Sequence, residues 1–289
     1  MRILMIHGRS QGGKDPVELK EVWIDTLKKG FAAAGLPSPD SLSIDFPFYG
    51  DKLDGFTAQA NLPTPQDVNA KGSGKNRQFE EFMQSALGQM KERSAISDDE
   101  VEAELDPTAP QEKGVQNWNW VQAIARVIDR HLTGAAEFTI ETFLKDVFLY
   151  VNAKAVTRGI NKIVEEKLTD EPTIVVAHSL GSVVGYKVIM DNLAKLNLVK
   201  YITVGCPLGL TAISSKLGPL QNPGGPDGWY NAYDERDIVA LNPLDDRNFP
   251  TDPKVINSNG VDNHTENRHG IIGYLNDAEV AKQIAEALA

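Results

Sequence analysis

The sequence predicts an α/β protein in which a mostly parallel central sheet carries helices on both faces. Two stretches set the pattern. Arg2 to Ile6 is a short apolar run that stops at His7-Gly8-Arg9, and helical spacing follows through Val17, Trp23, Ile24, Leu27 and Phe31 as far as Ala34. Thr173 to Val176 is a β-branched run that ends in Ala177-His178-Ser179-Leu180-Gly181, and Val183, Val184, Val188, Ile189 and Leu193 then recur at helical spacing. The third observation is size. A chain of 289 residues, 41% hydrophobic, accommodates one large α/β domain with an insertion, or two smaller domains.

Composition excludes several function classes. A formal net charge of −11 argues against nucleic acid and anionic membrane surfaces as partners, because both need a concentrated basic face. The single cysteine, Cys206, rules out an internal disulfide and a Cys-type zinc site. No apolar run has the length of a membrane span, and the N-terminus has no signal-peptide pattern, so the expected setting is cytoplasmic, with no stable membrane insertion.

The remaining elements follow in chain order. Leu42 to Phe46 reads as the next strand. From Asp51 to about Gly114 the chain is polar and irregular, but Phe79, Phe82, Met83, Ala86, Leu87 and Met90 mark one helix within it. Gly72 to Asn76 reads as a flexible loop, and Asp98 to Asp106 is an acidic run. A helix is expected from Trp118 to Leu132 and a long one from Ala136 to Leu168. Val199 to Val204 is another buried strand, ending in Gly205-Cys206-Pro207-Leu208. Trp229 begins a strand that runs into a loop bearing Asp234 and Asp237, Lys254 to Asn257 is the expected last strand, and Ala278 to Leu288 is the terminal helix. The expected division is a core from 1–50 and 170–289, with 51–169 inserted. That insertion has too few apolar residues for a core of its own.

Ser179 stands at the apex of a strand, sharp turn and helix, with small residues two positions before and after it, Ala177 and Gly181. A serine hydroxyl becomes a nucleophile when it is lifted clear of the backbone, offered to a base and flanked by N–H donors. The stretch resembles the nucleophile elbow of the α/β-hydrolase superfamily, Gly-x-Ser-x-Gly, with Ala177 in place of the first glycine. The resemblance implies the α/β-hydrolase fold, a largely helical cap over the active site from 51–169, and serine esterase or lipase-like chemistry on a small-molecule or lipid-like acyl ester, with no cofactor. It also implies an oxyanion hole from the N–H groups of Arg9 and Leu180. The acid would come from the loop after Trp229, where Asp237-Ile238-Val239 resembles the superfamily's Asp-x-Val and Asp234 is the alternative. The base would lie before the final helix, where His269, followed by Gly270, Gly273 and Tyr274, is the first choice and His264 the alternative. The substrate pocket would be shaped by the inserted region.

Other readings compete. A catalytically silent scaffold of the same fold is one. Gly8 to Lys14 matches the phosphate-binding Gly-x-x-x-x-Gly-Lys pattern, but Asp15 stands where magnesium binding needs serine or threonine. His264, His269 and Asp262 match no zinc spacing, so no metal is expected. His7 belongs to the oxyanion-side loop, His178 reads as a packing or hydrogen-bonding residue, His131 suits a helix C-terminus, and Cys206 reads as a buried thiol.

Overall fold

The computed structural model describes residues 1–40, 42–60, 74–105, 118–132, 138–225 and 228–289. Six strands form one sheet: β1 (Arg2–Ile6), β2 (Ser43–Asp45), β3 (Thr173–His178), β4 (Leu198–Val204), β5 (Trp229–Ala232) and β6 (Ile256–Ser258). Their order is β2-β1-β3-β4-β5-β6, and every adjacent pair is parallel. In β1 and β3 the runs Ile3 to Ile6 and Ile174 to Ala177 are continuously apolar because both faces are covered. Ile3, Met5, Ile174, Val176, Ile202 and Val204 point to one face. There they meet Trp23, Leu27 and Phe31 of α1 (Pro16–Ala33) and the last helix, Ala278–Leu288, through Val280, Ala281 and Ile284. Leu4, Ile6, Val175 and Ala177 point to the other.

That second face buries the helices between β2 and β3. Among the described residues they are α2 (Gly50–Gln59), α3 (Gly74–Arg93), α4 (Asp98–Glu102), α5 (Trp118–His131), α6 (Ile140–Asn152) and α7 (Lys154–Glu165), joined by α8 (Leu180–Asn192) after β3. The six apolar residues that mark the helix within the polar stretch are all buried on α3. They belong to the same core as the sheet.

Several expectations differ from the structure. The stretch from Asp51, expected to be irregular apart from one helix, also forms α2 and, within its acidic run, α4. Gly74 to Asn76, expected in a loop, begin α3, while Gly72 and Ser73 lie outside the described residues. The single helix expected across 136–168 is two helices meeting at Ala153, which leaves the helical region at φ −98°, ψ 100°. Thr157 Oγ1 donates across that junction to the carbonyl of Tyr150, an acceptor that the break frees. The last strand is Ile256–Ser258 rather than Lys254 to Asn257. Among the described residues no helix is long and apolar enough to cross a membrane.

The topology places a crevice. After β1 the chain moves to β2 on one side, then returns past β1 to β3 on the other, so strand order reverses between β1 and β3. Loops leaving the C-terminal ends of two such strands diverge and leave room between them. The loop 7–15 and Ser179 leave from those two ends.

Candidate active site

Ser179 sits between β3 and α8 at φ 56°, ψ −130°, a backbone conformation that L-residues rarely adopt. Close packing enforces it. A Cβ on Gly181 would lie 2.3 Å from the Ile6 carbonyl oxygen and 2.5 Å from that of His7, so α8 approaches β1 through a residue with no side chain. The turn leaves the Ser179 hydroxyl facing a cleft of about 940 Å³.

Two side chains from distant loops converge on that hydroxyl. His269 Nε2 is 2.8 Å from Ser179 Oγ, and His269 Nδ1 is 2.7 Å from Asp237 Oδ2. A carboxylate only accepts, so Nδ1 carries the proton and Nε2 presents its lone pair to the hydroxyl. Asp237 is fully buried; its Oδ1 accepts Val239 N–H at 3.0 Å and its Oδ2 also accepts the Tyr274 hydroxyl at 2.5 Å. His269 is held from behind as well. His178 Nε2 donates to the His269 carbonyl at 2.8 Å, and Phe138 and Phe143 lie against the ring at centroid distances of 5.7 and 6.2 Å. Burial first, and the neighbouring His269 second, push the His178 imidazole well below its ordinary pKa, so it stays a neutral donor.

The alternatives lie elsewhere. His264 is exposed, with Asn276 Nδ2 at 3.5 Å. Asp234 is buried but braces its own loop, accepting Arg236 N–H at 2.7 Å and Asn263 N–H at 2.7 Å. Among the described residues no group of His, Cys, Asp and Glu is arranged to hold a metal ion. Cys206 is buried, and burial pushes its thiol up to about 12, far from a reactive thiolate.

The loop after β1 lies directly against the serine. A Cβ on Gly8 would meet Ser179 Cβ at 2.9 Å and Oγ at 3.3 Å. His7 shapes that loop: its Nδ1–H donates to the Gly8 carbonyl at 2.7 Å, while Nε2 accepts Tyr49 N–H at 3.1 Å. Burial depresses His7 to a pKa of about 4, which keeps this tautomer neutral. A trans peptide points its C=O and N–H in opposite directions, so tying Gly8 O to His7 turns Arg9 N–H away from that ring. Leu180 is the first residue of α8, where an N–H has no partner inside the helix.

The same loop is poorly suited to phosphate. Gly13 N–H donates to the Asp51 carboxylate at 2.7 Å, and Asp54 is packed against Gly12. Asp15 caps α1 by accepting from Val17 and Glu18 N–H. Carboxylates thus take the positions where a phosphate cradle needs free N–H groups.

The cleft walls differ from the expected ones. Leu19, Val22 and Trp23 of α1 form one side and Ile271 and Ile272 the other. Of the inserted region only Phe138, among the described residues, lines it, because the apolar positions there are buried in the core cluster that they share with one face of the sheet. Sequence reasoning gave no role to Tyr274, Asp146 or Thr57. Arg9 Nε is 2.6 Å from Asp146 Oδ2, and no local pattern signals a pair so far apart in the chain. No protein-family model matches the chain, and no curated protein or solved structure matches it either.

Proposed function

We propose that this protein is a serine hydrolase with the α/β-hydrolase fold that cleaves a carboxylic ester through an acyl-enzyme. The observation that carries the reading is the linear relay Ser179–His269–Asp237, with contacts of 2.8 and 2.7 Å, on a serine held at φ 56°. His269 takes the hydroxyl proton as Oγ attacks the carbonyl carbon, and Asp237 stabilises the imidazolium that forms. The N–H groups of Arg9 and Leu180 receive the developing oxyanion. The tetrahedral intermediate expels the alcohol, which takes the proton from His269. Water, deprotonated by the same imidazole, then attacks the acyl-enzyme, releases the acid and restores Ser179.

The order of the three residues in the chain, serine then acid then histidine, supports the superfamily assignment. In this reading 51–169 plays the part of the cap, with Phe138 as its contribution to the cleft wall. The scheme needs no cofactor, and a buried unreactive thiol suits a cytoplasmic setting. The test is turnover of short p-nitrophenyl esters. Ser179→Ala should lose it while keeping the wild-type melting temperature, and undiminished turnover in that variant would refute the assignment.

A further inference from the structure

We infer that Tyr274 is a positioning residue for this relay, its hydroxyl fixing the Asp237 oxygen that holds His269 and setting how strongly that carboxylate favours the imidazolium. The inference rests on the proposed hydrolase reading. Tyr274 lies on the short helix Ile272–Leu275, and its hydroxyl donates at 2.5 Å to Asp237 Oδ2. That is the oxygen that accepts His269 Nδ1–H. Base and phenol therefore share one acceptor on a fully buried carboxylate.

The direction of the phenol proton is determined. Tyr274 Oη also accepts Asp234 N–H, at 3.3 Å, and a backbone N–H only donates, so the single O–H is left for Asp237. Burial, and then Asp237 itself, hold the phenol well above its ordinary pKa, and it remains a donor throughout the working range. Gly205 secures the arrangement. It has φ 57°, and a Cβ there would lie 3.0 Å from Tyr274 Cε2 and 3.3 Å from Asp237 Oδ2, so the backbone after β4 packs against both groups.

A donor on Oδ2 takes up part of the charge that would otherwise face the imidazole. Among the described residues the other titratable and charged groups near the pair include His178, against His269 and beside His7, and Asp234, paired with Arg236. Arg9 and Asp146 are paired beyond Phe138. Removing the phenol leaves more charge on Oδ2 and favours the protonated imidazole, which cannot act as base. The acid limb of the rate profile then moves to higher pH, and the carboxylate loses a constraint on its orientation.

Tyr274→Phe keeps the ring and removes only the donor. With a melting curve verifying the fold, the expected results are a shift of the acid limb of kcat/KM upward by roughly half a pH unit and a fall in kcat of about tenfold, with KM little changed. An unmoved limb with unchanged kcat overturns the inference. The His269 Nδ1–H proton resonance, recorded without substrate, is the second readout. A displacement in Tyr274→Phe supports the role, and an identical resonance in the two proteins overturns it. If wild type turns over no ester yet the resonance is displaced, the hydrolase reading fails while the control of Asp237 by Tyr274 stands.

Discussion

The guanidinium of Arg9, in the loop after β1, is held at 2.6 Å by the carboxylate of Asp146 on α6. Thr57 of α2 donates to the second Asp146 oxygen at 2.8 Å, and Phe138 lies over the guanidinium at 5.8 Å. The inserted region is thereby joined to the loop that touches Ser179. This connection, beside the packing of Phe138 and Phe143 on His269, is a largely buried ion pair, since the two side chains are 12% and 3% exposed.

Removing one member of such a pair leaves a buried charge without its partner. Asp146→Ala should cost about 3 kcal/mol of unfolding free energy, read by urea denaturation. The same change should lower esterase activity by more than the loss of folded protein explains, because Arg9 also supplies an oxyanion N–H in the proposed scheme. A stability loss below about 0.5 kcal/mol would show that Asp146 does not anchor the loop.

The approach of Gly8 to the serine gives a sharper local test. In Gly8→Ala the new methyl lands 2.9 Å from Ser179 Cβ, so the loop has to retreat and carry Arg9 N–H with it. The expected outcome is a fall in kcat of about a hundredfold with little change in melting temperature. A variant with wild-type kcat would remove this loop from the oxyanion site.

Burial of His7 makes stability depend on pH. Its folded pKa is about 4 against an ordinary 6.5, so the unfolded chain takes up this proton first as pH falls. The contribution is complete above about 6.5 and is lost as pH falls toward 4, amounting to roughly 3 kcal/mol across that window. His178, also depressed by burial, acts in the same direction. Unfolding free energy measured from pH 7 to pH 4 should fall with increasing steepness below 6.5. A flat curve would mean that neither ring is buried in its neutral form.

Paired substitutions separate the candidate bases and acids. His269→Ala and Asp237→Asn should each reduce kcat by about a thousandfold or more. His264→Ala should leave kcat unchanged, since that ring is exposed and has its polar contact with Asn276. Asp234→Asn should act chiefly on stability, through the loop it braces. Measured kcat and melting temperature for the four proteins distinguish the roles.

Some of this was legible in the sequence for physical reasons. The strands β1 and β3 are buried on both faces and so carry the unbroken apolar runs Ile3 to Ile6 and Ile174 to Ala177, and the turn at Ser179 needs small neighbours that can be read directly. The six apolar positions of α3 kept helical spacing inside a polar stretch because they face a core. What sequence reading missed depends on distance or on hydrogen bonds. The break at Ala153 carries no proline or glycine, and the Thr157 hydroxyl compensates for it by bonding the freed Tyr150 carbonyl. The cleft walls went unforeseen because the inserted helices bury their apolar faces in the shared core, leaving α1 and Ile271-Ile272 to line the opening. Arg9–Asp146 and Tyr274–Asp237 join residues far apart in the chain, and only the fold brings them together.

The central claim is that Ser179 is a nucleophile activated by His269. Its most direct measurement is labelling of the intact protein with a fluorophosphonate probe, with the adduct located by mass spectrometry in wild type, Ser179→Ala and His269→Ala. The account predicts a single adduct on Ser179 in the wild type, none in Ser179→Ala, and labelling slowed by about a hundredfold or more in His269→Ala. A wild type that does not label, or an adduct on another residue that persists in Ser179→Ala, would contradict it.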